Sequence, residues 1–330
     1  MNDYKDIPPS VEALILKIVN NIQNVIVGKQ QTIEYVVISL LCGGHVLIED
    51  VPGVGKTSLV TALSRSIDCS FGRIQFTPDV LPSDITGFSM FNVKTNEFEY
   101  RPGVVISQII LADEINRTSP KTQSSLLEAM EERQVTVDGI TYELPEPFMV
   151  LATQNPIEYL GTFPLPEAQL DRFFMKVHIG YPKTEEEMAI LARFHQDDPL
   201  KQLRAVTEPN EIRHAGEIIR ETYMDPVVSR YLVDLIHKTR IHSDIALGVS
   251  PRGSIALYRA AQAWACYTGR NYCSPDDVKK MAVPVLSHRI KLSQDAKLRN
   301  IKADECIQEI VDSVAVPIPA KTSGKKRLFD

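Results

Sequence analysis

Short apolar runs alternate with helical stretches between about residues 45 and 180. The runs are short and largely apolar, as is typical of strands buried on both faces, and Gly and Pro residues punctuate the segments between them. Helical stretches between such strands indicate a parallel α/β sheet. The runs are His45–Glu49, Arg73–Phe76, Gln108–Ala112, Phe148–Thr153 and Phe174–Ile179.

The pattern becomes helical throughout after Tyr181-Pro182-Lys183. Helices are predicted to begin at Pro226, at Pro251 and after Ser274, because proline is favoured in the first turn of a helix. We therefore expect two domains: an αβα domain over residues 1–183 and an all-helical domain over residues 184–315. Residues 316–330 contain several Lys and Arg and are expected to form a flexible basic tail.

Charge and cysteine content narrow the class of protein. The 330 residues carry 36 Lys and Arg against 42 Asp and Glu, a net charge of −6, which argues against a general nucleic-acid coat. The five cysteines include no CxxC pair and indicate reduced thiols rather than a zinc site. We find neither a signal peptide nor an apolar stretch of about 18 residues, so a cytoplasmic protein without a membrane span is expected.

The strongest motif is the segment Asp50–Thr57, which follows an apolar run and precedes a helical stretch. Gly53 and Gly55 let backbone N–H groups surround phosphate oxygens. Lys56 would reach the β and γ phosphates, and the Thr57 hydroxyl would ligate Mg²⁺. The predicted nucleotide-binding set is completed by Val54 and Ser58.

Position 50 departs from the phosphate-loop pattern G-x-x-x-x-G-K-[ST], because Asp50 stands where the first glycine is required. Aspartate tolerates unusual turn conformations, so the departure is compatible with phosphate binding. A glycine-rich turn with no ligand is the alternative interpretation of the segment alone.

Two further apolar runs end in polar side chains. Asp113 and Glu114 follow Ile109–Ala112. Asp113 would hold Mg²⁺ through water. Because strand side chains alternate, Glu114 would point the other way and polarise the attacking water. Asn155 follows the next run and could sense the γ-phosphate. In isolation, the acids could equally cap a helix and the asparagine could occupy a turn before proline.

With these motifs in order, the chain resembles the AAA+ ATPases and, among them, the MoxR family. The resemblance covers roughly residues 20–295 and implies an AAA+ αβα core with a parallel five-stranded sheet, followed by a helical lid domain. It is carried by the segments Glu49–Thr57, Phe76–Asp79, Leu81–Gly87, Ala112–Arg117, Ala152–Pro156, Leu165–Phe173 and Gly248–Arg252.

The resemblance also implies roles for individual residues. Asn155 matches sensor 1. Arg252 matches sensor 2, which would touch the γ-phosphate in its own subunit, and Arg172 matches the arginine finger, which would act on ATP held by a neighbour. Arg117 and Arg133 are additional candidates for contact with a neighbour. By themselves, Arg172 would be read as a surface salt-bridge residue and Arg252 as a solvated arginine at a helix start.

Val27 and Gly28 resemble the segment that packs on adenine, with ordinary core packing as the alternative. Lys29 departs from the glutamine that the family often has there.

Two hairpins are predicted at about 88–101 and 134–143, the second from an Asp-Gly turn. They match the helix-2 insert and pre-sensor-1 hairpins of magnesium chelatase and minichromosome-maintenance motors. Neither tip is basic, as a DNA motor would need, and Phe88, Met90, Phe91 and Phe98 suit a protein surface better.

The function expected from the resemblance is an Mg²⁺-dependent ATPase that forms a homo-oligomeric ring, taken as a hexamer. Such a ring would act as a chaperone that matures or activates client proteins, including proteins with a von Willebrand factor A domain. The alternatives are a nucleic-acid motor, a chelatase-type motor subunit and a nucleotide switch without catalysis.

Overall fold

The computed structural model describes residues 10–155, 161–194 and 198–317. The first half contains, in chain order, α1 Val11–Gln23, α2 Gln30–Leu41, β1 Val46–Glu49, α3 Lys56–Ser66, β2 Phe71–Gln75, α4 Pro82–Thr86, β3 Gly87–Asn92, β4 Glu97–Pro102, β5 Ile109–Asp113, α5 Pro120–Glu132, β6 Gln134–Val137, β7 Ile140–Glu143, β8 Met149–Gln154, α6 Glu167–Leu170 and β9 Met175–Val177. The second half contains α7 Thr184–Phe194, α8 Pro199–Gln202, α9 Pro209–Glu221, β10 Tyr223–Met224, α10 Pro226–Ile241, β11 Ile245–Leu247, α11 Pro251–Tyr267, β12 Tyr272–Cys273, α12 Pro275–Leu286, β13 Lys291–Leu292, α13 Gln294–Leu298 and α14 Ala303–Ser313.

A five-stranded sheet with the order β2-β5-β8-β1-β9 forms the centre of the first half. Every neighbouring pair in it is parallel. The first four residues of β5 and the first five of β8 are fully buried, because both strands are internal and both their faces are covered. The predicted parallel five-stranded sheet is confirmed.

The edge strand β2 differs from the prediction that every apolar run would be buried on both faces. Phe71, Arg73 and Gln75 are exposed, whereas Gly72 and Ile74 are partly buried. Side chains of any strand alternate between its two faces, so this pattern shows that one face of β2 is exposed and the other is partly covered. Phe76 was assigned to this strand; it lies just after it and is fully buried.

Hydrophobic side chains pack on both faces of the sheet. Along β1, Val46 and Ile48 join a core that includes the first helices and the lid helices, while Leu47 joins a second core with α5. This alternation follows from the twofold period of a strand. Because one face of the sheet shares its core with the C-terminal helices, burial of apolar surface holds the two halves together.

The C-terminal half is helical, and three of its helices begin as predicted. Proline is the first residue of α10, α11 and α12, preceded by Asp225, Ser250 and Ser274 respectively as N-caps. This half is not all-helical, however, since β10 pairs with β12 and β11 with β13. These two-stranded pairs form where short extended connections between helices lie side by side, which the helical pattern does not encode.

Two antiparallel hairpins project from the first half, β3–β4 and β6–β7. The second turns at Asp138 and Gly139, which both have positive φ, as the Asp-Gly signal predicts. The rings of Tyr100 and Tyr142 stack with centroids 4.1 Å apart, so the two hairpins support each other.

No described helix is long and apolar enough to cross a membrane. Of the expected basic tail, residues 318–330 lie outside the described residues.

A buried ion pair joins the two halves. Arg289 Nε lies 2.9 Å from Asp171 Oδ1, and the arginine side chain is 2% exposed. The guanidinium also donates to the carbonyl oxygens of Phe173 and Phe174. Burial is the largest effect on Arg289 and lowers its pKa to about 10, while Asp171 opposes that shift.

We expect Arg289→Ala to reduce the free energy of unfolding by about 3–5 kcal/mol, because it leaves a partly buried carboxylate without its partner. Arg230→Ala, which breaks an exposed pair with Asp234, should cost less than about 1 kcal/mol. Denaturant unfolding of both variants checks this, and equal losses would contradict it.

Candidate functional site

The loop between β1 and α3 has the conformation that phosphate binding requires. Gly53 and Gly55 have φ of +86° and +90°, in the left-handed region that favours glycine. Gly55 is the N-cap of α3, so the positive end of that helix faces the loop. Lys56 and Thr57 open the helix, and Lys56 Nζ donates to the Asp50 carbonyl oxygen at 3.0 Å.

A cavity of about 350 Å³ adjoins this loop. Its lining includes Val27 together with Gly53, Val54, Gly55 and Ser58 of the loop. The structure therefore brings Val27, proposed for adenine contact, and part of the phosphate loop to one cavity, whereas Gly28 is not on the cavity wall. On the opposite side the cavity is lined by Ile190 and Arg193 of α7 and by residues around α8.

Gly28 and Lys29 contact α7, the first helix of the C-terminal half, and the segment just before it. Lys29 Nζ donates to the Tyr181 carbonyl oxygen at 2.9 Å and lies 3.5 Å from the Glu186 carboxylate. Gly28 has φ +74°, and a Cβ there would collide with the Glu186 side chain. The lysine that departs from the family pattern thus has a local structural partner.

Asp50 is buried, and its carboxylate accepts hydrogen bonds from the backbone N–H groups of Ile179 and Gly180. Its own N–H donates to the Gln154 carbonyl oxygen at 3.1 Å. The side chain that breaks the glycine pattern therefore points away from the phosphate space, toward the segment between β9 and α7.

Asp113 ends β5 next to the loop. Its carboxylate accepts from Thr153 Oγ1 at 2.6 Å and pairs with Arg73 at 3.0 Å. Mg²⁺ prefers oxygen ligands. The Asp113 carboxylate and the Thr57 hydroxyl at the start of α3 are donors of that kind.

Glu114 was expected to point away from Asp113 because strand side chains alternate. Instead, both carboxylates contact one face of β2, Asp113 through Arg73 and Glu114 through Gln75. β5 ends at Asp113, and Glu114 has φ +56°. This left-handed turn directs its carboxylate to Gln75 Nε2 at 2.8 Å and to Arg117 Nη1 at 2.9 Å. Arg117, considered for contact with a neighbour, thus lies beside the acid of its own subunit.

Asn155 follows β8 directly and is 6% exposed. Gln154, at the end of that strand, is in register with Glu49 at the end of β1. The asparagine is therefore at the same edge of the sheet as the phosphate loop, where a γ-phosphate sensor would need to be.

Arg172 and Arg252 lie at the opposite edge. They bind the two carboxylate oxygens of Glu131, Arg172 at 3.0 Å. Glu131 is near the end of α5, whose Met130 carbonyl is hydrogen-bonded to the His45 ring, immediately before β1. The four residues of β1, about 13 Å of strand, separate this edge from the phosphate loop.

This placement corrects the expectation that Arg252 touches the γ-phosphate of its own subunit. The lid helix that carries it begins beside the Leu-Asp-Arg-Phe segment, since Ser250 Oγ donates to Asp171 Oδ2 at 2.8 Å. Arg252 consequently lies with Arg172, and both line a cavity of about 280 Å³ at the amino edge. Arg133 lines the same cavity, and its guanidinium donates to the Gly43 carbonyl oxygen.

Several residues of the site were missed from the sequence. Arg73 and Gln75 come from an edge strand and contact the two acids. Glu131 pairs with both arginines, and Asp171 binds the N-cap of the helix that carries Arg252. No local motif marks them, because each acts on a residue distant in sequence. The strand period is the one signal that was present, since Arg73 and Gln75 are two residues apart and share a face.

Comparison with known protein families gives two matches. Residues 45–175 match the ATPase family associated with various cellular activities (AAA), and residues 237–310 match the AAA lid domain.

Full-length relatives agree with these matches. The chain is 51% identical to the uncharacterized protein YeaC of Bacillus subtilis, over 92% of this chain and 95% of YeaC. It is 40% identical to the chaperone MoxR1 of Mycobacterium tuberculosis, over 90% of this chain and 80% of MoxR1. A crystal structure of a candidate ATPase from Cytophaga hutchinsonii superposes with a TM-score of 0.87 at 38% identity, covering 93% of this chain and 96% of that one.

We expect Lys56→Ala to weaken ATP binding by about 100-fold or more, because a buried phosphate charge would lose its cation. Binding of a fluorescent ATP analogue measures this. Lys94→Ala, on the exposed first hairpin, is the control and should bind as the unmodified chain does. Near-normal affinity of Lys56→Ala would contradict the phosphate-loop assignment.

Proposed function

Because this chain belongs to the MoxR family of AAA+ ATPases, we propose that it hydrolyses ATP at sites shared between neighbouring subunits of a ring. The observation that carries this proposal is the separation of its functional groups. The phosphate loop, Asp113 and Glu114 lie at the carboxyl edge of the sheet, whereas Arg172 and Arg252 are held at the amino edge. Arg172 and Arg252 are thus about 13 Å of strand away from the phosphate loop of their own subunit, and they would instead serve the ATP of a neighbouring one.

Within one subunit, the phosphate loop binds the triphosphate. Backbone N–H groups around Gly53 and Gly55 and the Lys56 ammonium hold the β and γ phosphates. Thr57 and Asp113 would hold Mg²⁺, which neutralises phosphate charge when bound. Val27 and Gly28 would contact the adenine, supported by the position of Val27 on the cavity wall.

Glu114 acts as the base that orients and polarises water for attack on the γ-phosphate. Gln75 and Arg117 hold its carboxylate in a defined direction. Asn155 would position the γ-phosphate or the water from the end of the neighbouring strand. These roles account for the chemistry at the carboxyl edge, apart from the additional positive charge that stabilises the phosphoryl oxygens during hydrolysis.

Arg172 and Arg252 would supply that charge to the ATP of the neighbouring subunit. In hydrolysis, negative charge spreads over the phosphoryl oxygens, and guanidinium groups stabilise it. The Glu131 carboxylate lies between the two arginine side chains. An incoming phosphate could take the place of this carboxylate. We therefore assign both arginines to the neighbour's site, Arg172 as the finger and Arg252 as its companion.

The ring is proposed to be a hexamer that remodels a client protein, one class being proteins with a von Willebrand factor A domain. The chaperone name of MoxR1 supports this direction. The β3–β4 hairpin does so too, because it exposes the apolar side chains of Phe88, Phe91, Val93 and Phe98. This apolar surface favours a protein client over nucleic acid, which would require cations at the tip.

A cytoplasmic location is part of the proposal. All five cysteines are free thiols, which supports a reducing compartment.

The ATPase rate per subunit should rise with protein concentration, because each site needs a neighbour. Adding an Arg172→Ala variant that retains Lys56 and Glu114 should lower the rate of the unmodified subunits. Loss of a finger costs about 10³–10⁵ in rate at each affected site. Arg230→Ala, on an exposed helical pair with Asp234, is the control and should leave the rate unchanged.

A rate per subunit that stays constant on dilution and is insensitive to the Arg172 variant would show that each subunit works alone. The shared site would then have to be withdrawn.

Glu114→Gln should bind ATP but hydrolyse it about 10²–10⁴-fold more slowly, because the amide cannot accept a proton from water. Single-turnover hydrolysis and ATP binding are measured on the same preparation. Glu97→Gln, exposed on the first hairpin, is the matched control. Retained hydrolysis would remove Glu114 from the role of base.

A further inference from the structure

Asp50 connects the phosphate loop to the segment that joins the two domains. We propose that Asp50 is a positioning residue that transmits the nucleotide state of the loop to this hinge, residues 178–183. The inference rests on the proposed function, because it requires the loop to bind ATP. It goes further by assigning a role to the one residue that departs from the phosphate-loop pattern.

The side chain of Asp50 forms hydrogen bonds with the hinge backbone. Its carboxylate accepts the N–H of Ile179, and the N–H of Gly180 lies 3.2 and 3.1 Å from its two oxygens. Asp50 is 8% exposed. A hydrogen bond to a charged acceptor in such a shielded position is stronger than one between neutral groups.

The hinge is a short extended connection without its own secondary structure. It begins after Val177, the end of β9, and ends at Thr184, the start of α7. Gly180 has φ +66°, a conformation that glycine adopts without strain. The Asp50 carboxylate thus holds the backbone at the point where the hinge turns toward the lid.

The main chain of Asp50 forms hydrogen bonds within the candidate nucleotide site. Its carbonyl oxygen accepts from Lys56 Nζ at 3.0 Å, and its N–H donates to the Gln154 carbonyl oxygen, directly before Asn155. When Lys56 turns to a bound phosphate, the Asp50 carbonyl loses this donor. The peptide can then readjust, and the carboxylate on the same residue carries the change to Ile179 and Gly180.

Replacement by glycine separates the two functions. Asp50→Gly restores the pattern G-x-x-x-x-G-K-[ST], so the loop should still hold phosphates, while the link to the hinge is removed. Asp50→Asn retains one acceptor oxygen but presents an NH₂ group to the second N–H. The asparagine variant should therefore lie between glycine and aspartate in every readout.

Hydrogen exchange of the hinge amides, with and without ATP, tests the proposal in the full-length protein. In the unmodified chain, exchange at Ile179 and Gly180 should change when ATP binds. In Asp50→Gly these amides should exchange about tenfold faster, with no response to ATP. The ATP dissociation constant should stay within about threefold, while kcat falls at nearly constant KM.

His178→Ala is the matched control. The His178 ring contacts the Glu49 carbonyl oxygen at 2.6 Å, so this variant removes another hinge contact one residue before the loop. Its hinge amides should still respond to ATP, because the Asp50 carboxylate is intact.

A nucleotide response in Asp50→Gly equal to that of the unmodified chain would overturn the inference, and so would the loss of that response in His178→Ala. If Asp50→Gly does not fold, judged by circular dichroism, the same comparison with Asp50→Asn decides. Failure of the unmodified chain to bind ATP would instead refute the proposed function.

Discussion

The parallel alignment of β1, β5 and β8 is the constraint on which the candidate site depends. Parallel strands bring their carboxyl ends to one edge, so the phosphate loop, the acids after β5 and Asn155 after β8 meet there. The same alignment sends α5 back to the amino edge, where Glu131 holds the arginines. Shared active sites and a divided set of charges are thus two consequences of one topology.

Contacts between the two domains are both apolar and polar. The large core covers one face of the sheet with lid helices. Around it, Asp171 binds both Ser250 and Arg289, which places the start of α11 beside Arg172. At the other edge, Asp50 and Lys29 bind the hinge and the first lid helix. A movement of the lid would therefore change contacts at both edges of the sheet.

Local chemistry could be predicted from the sequence because it depends on neighbouring residues. The loop conformation follows from Gly53 and Gly55, and the Asp-Gly turn of the second hairpin follows from Asp138 and Gly139. Helix starts at proline follow from the fixed φ of that residue. The central strands were predicted from continuous apolar runs. That pattern does not describe the edge strand β2, because one of its faces is exposed.

The phosphate loop and the pair of acids could be predicted because each is encoded within a few consecutive residues, and the fold class could be predicted from the order of strands and helices. The edge of the sheet at which each charge lies depends instead on tertiary packing. Arg252 and Glu131 are 121 residues apart, and Gln75 and Glu114 are 39 apart. No periodicity reports such contacts, because they arise from the packing of whole elements. For that reason Arg252 was expected beside its own phosphate loop and is found at the opposite edge.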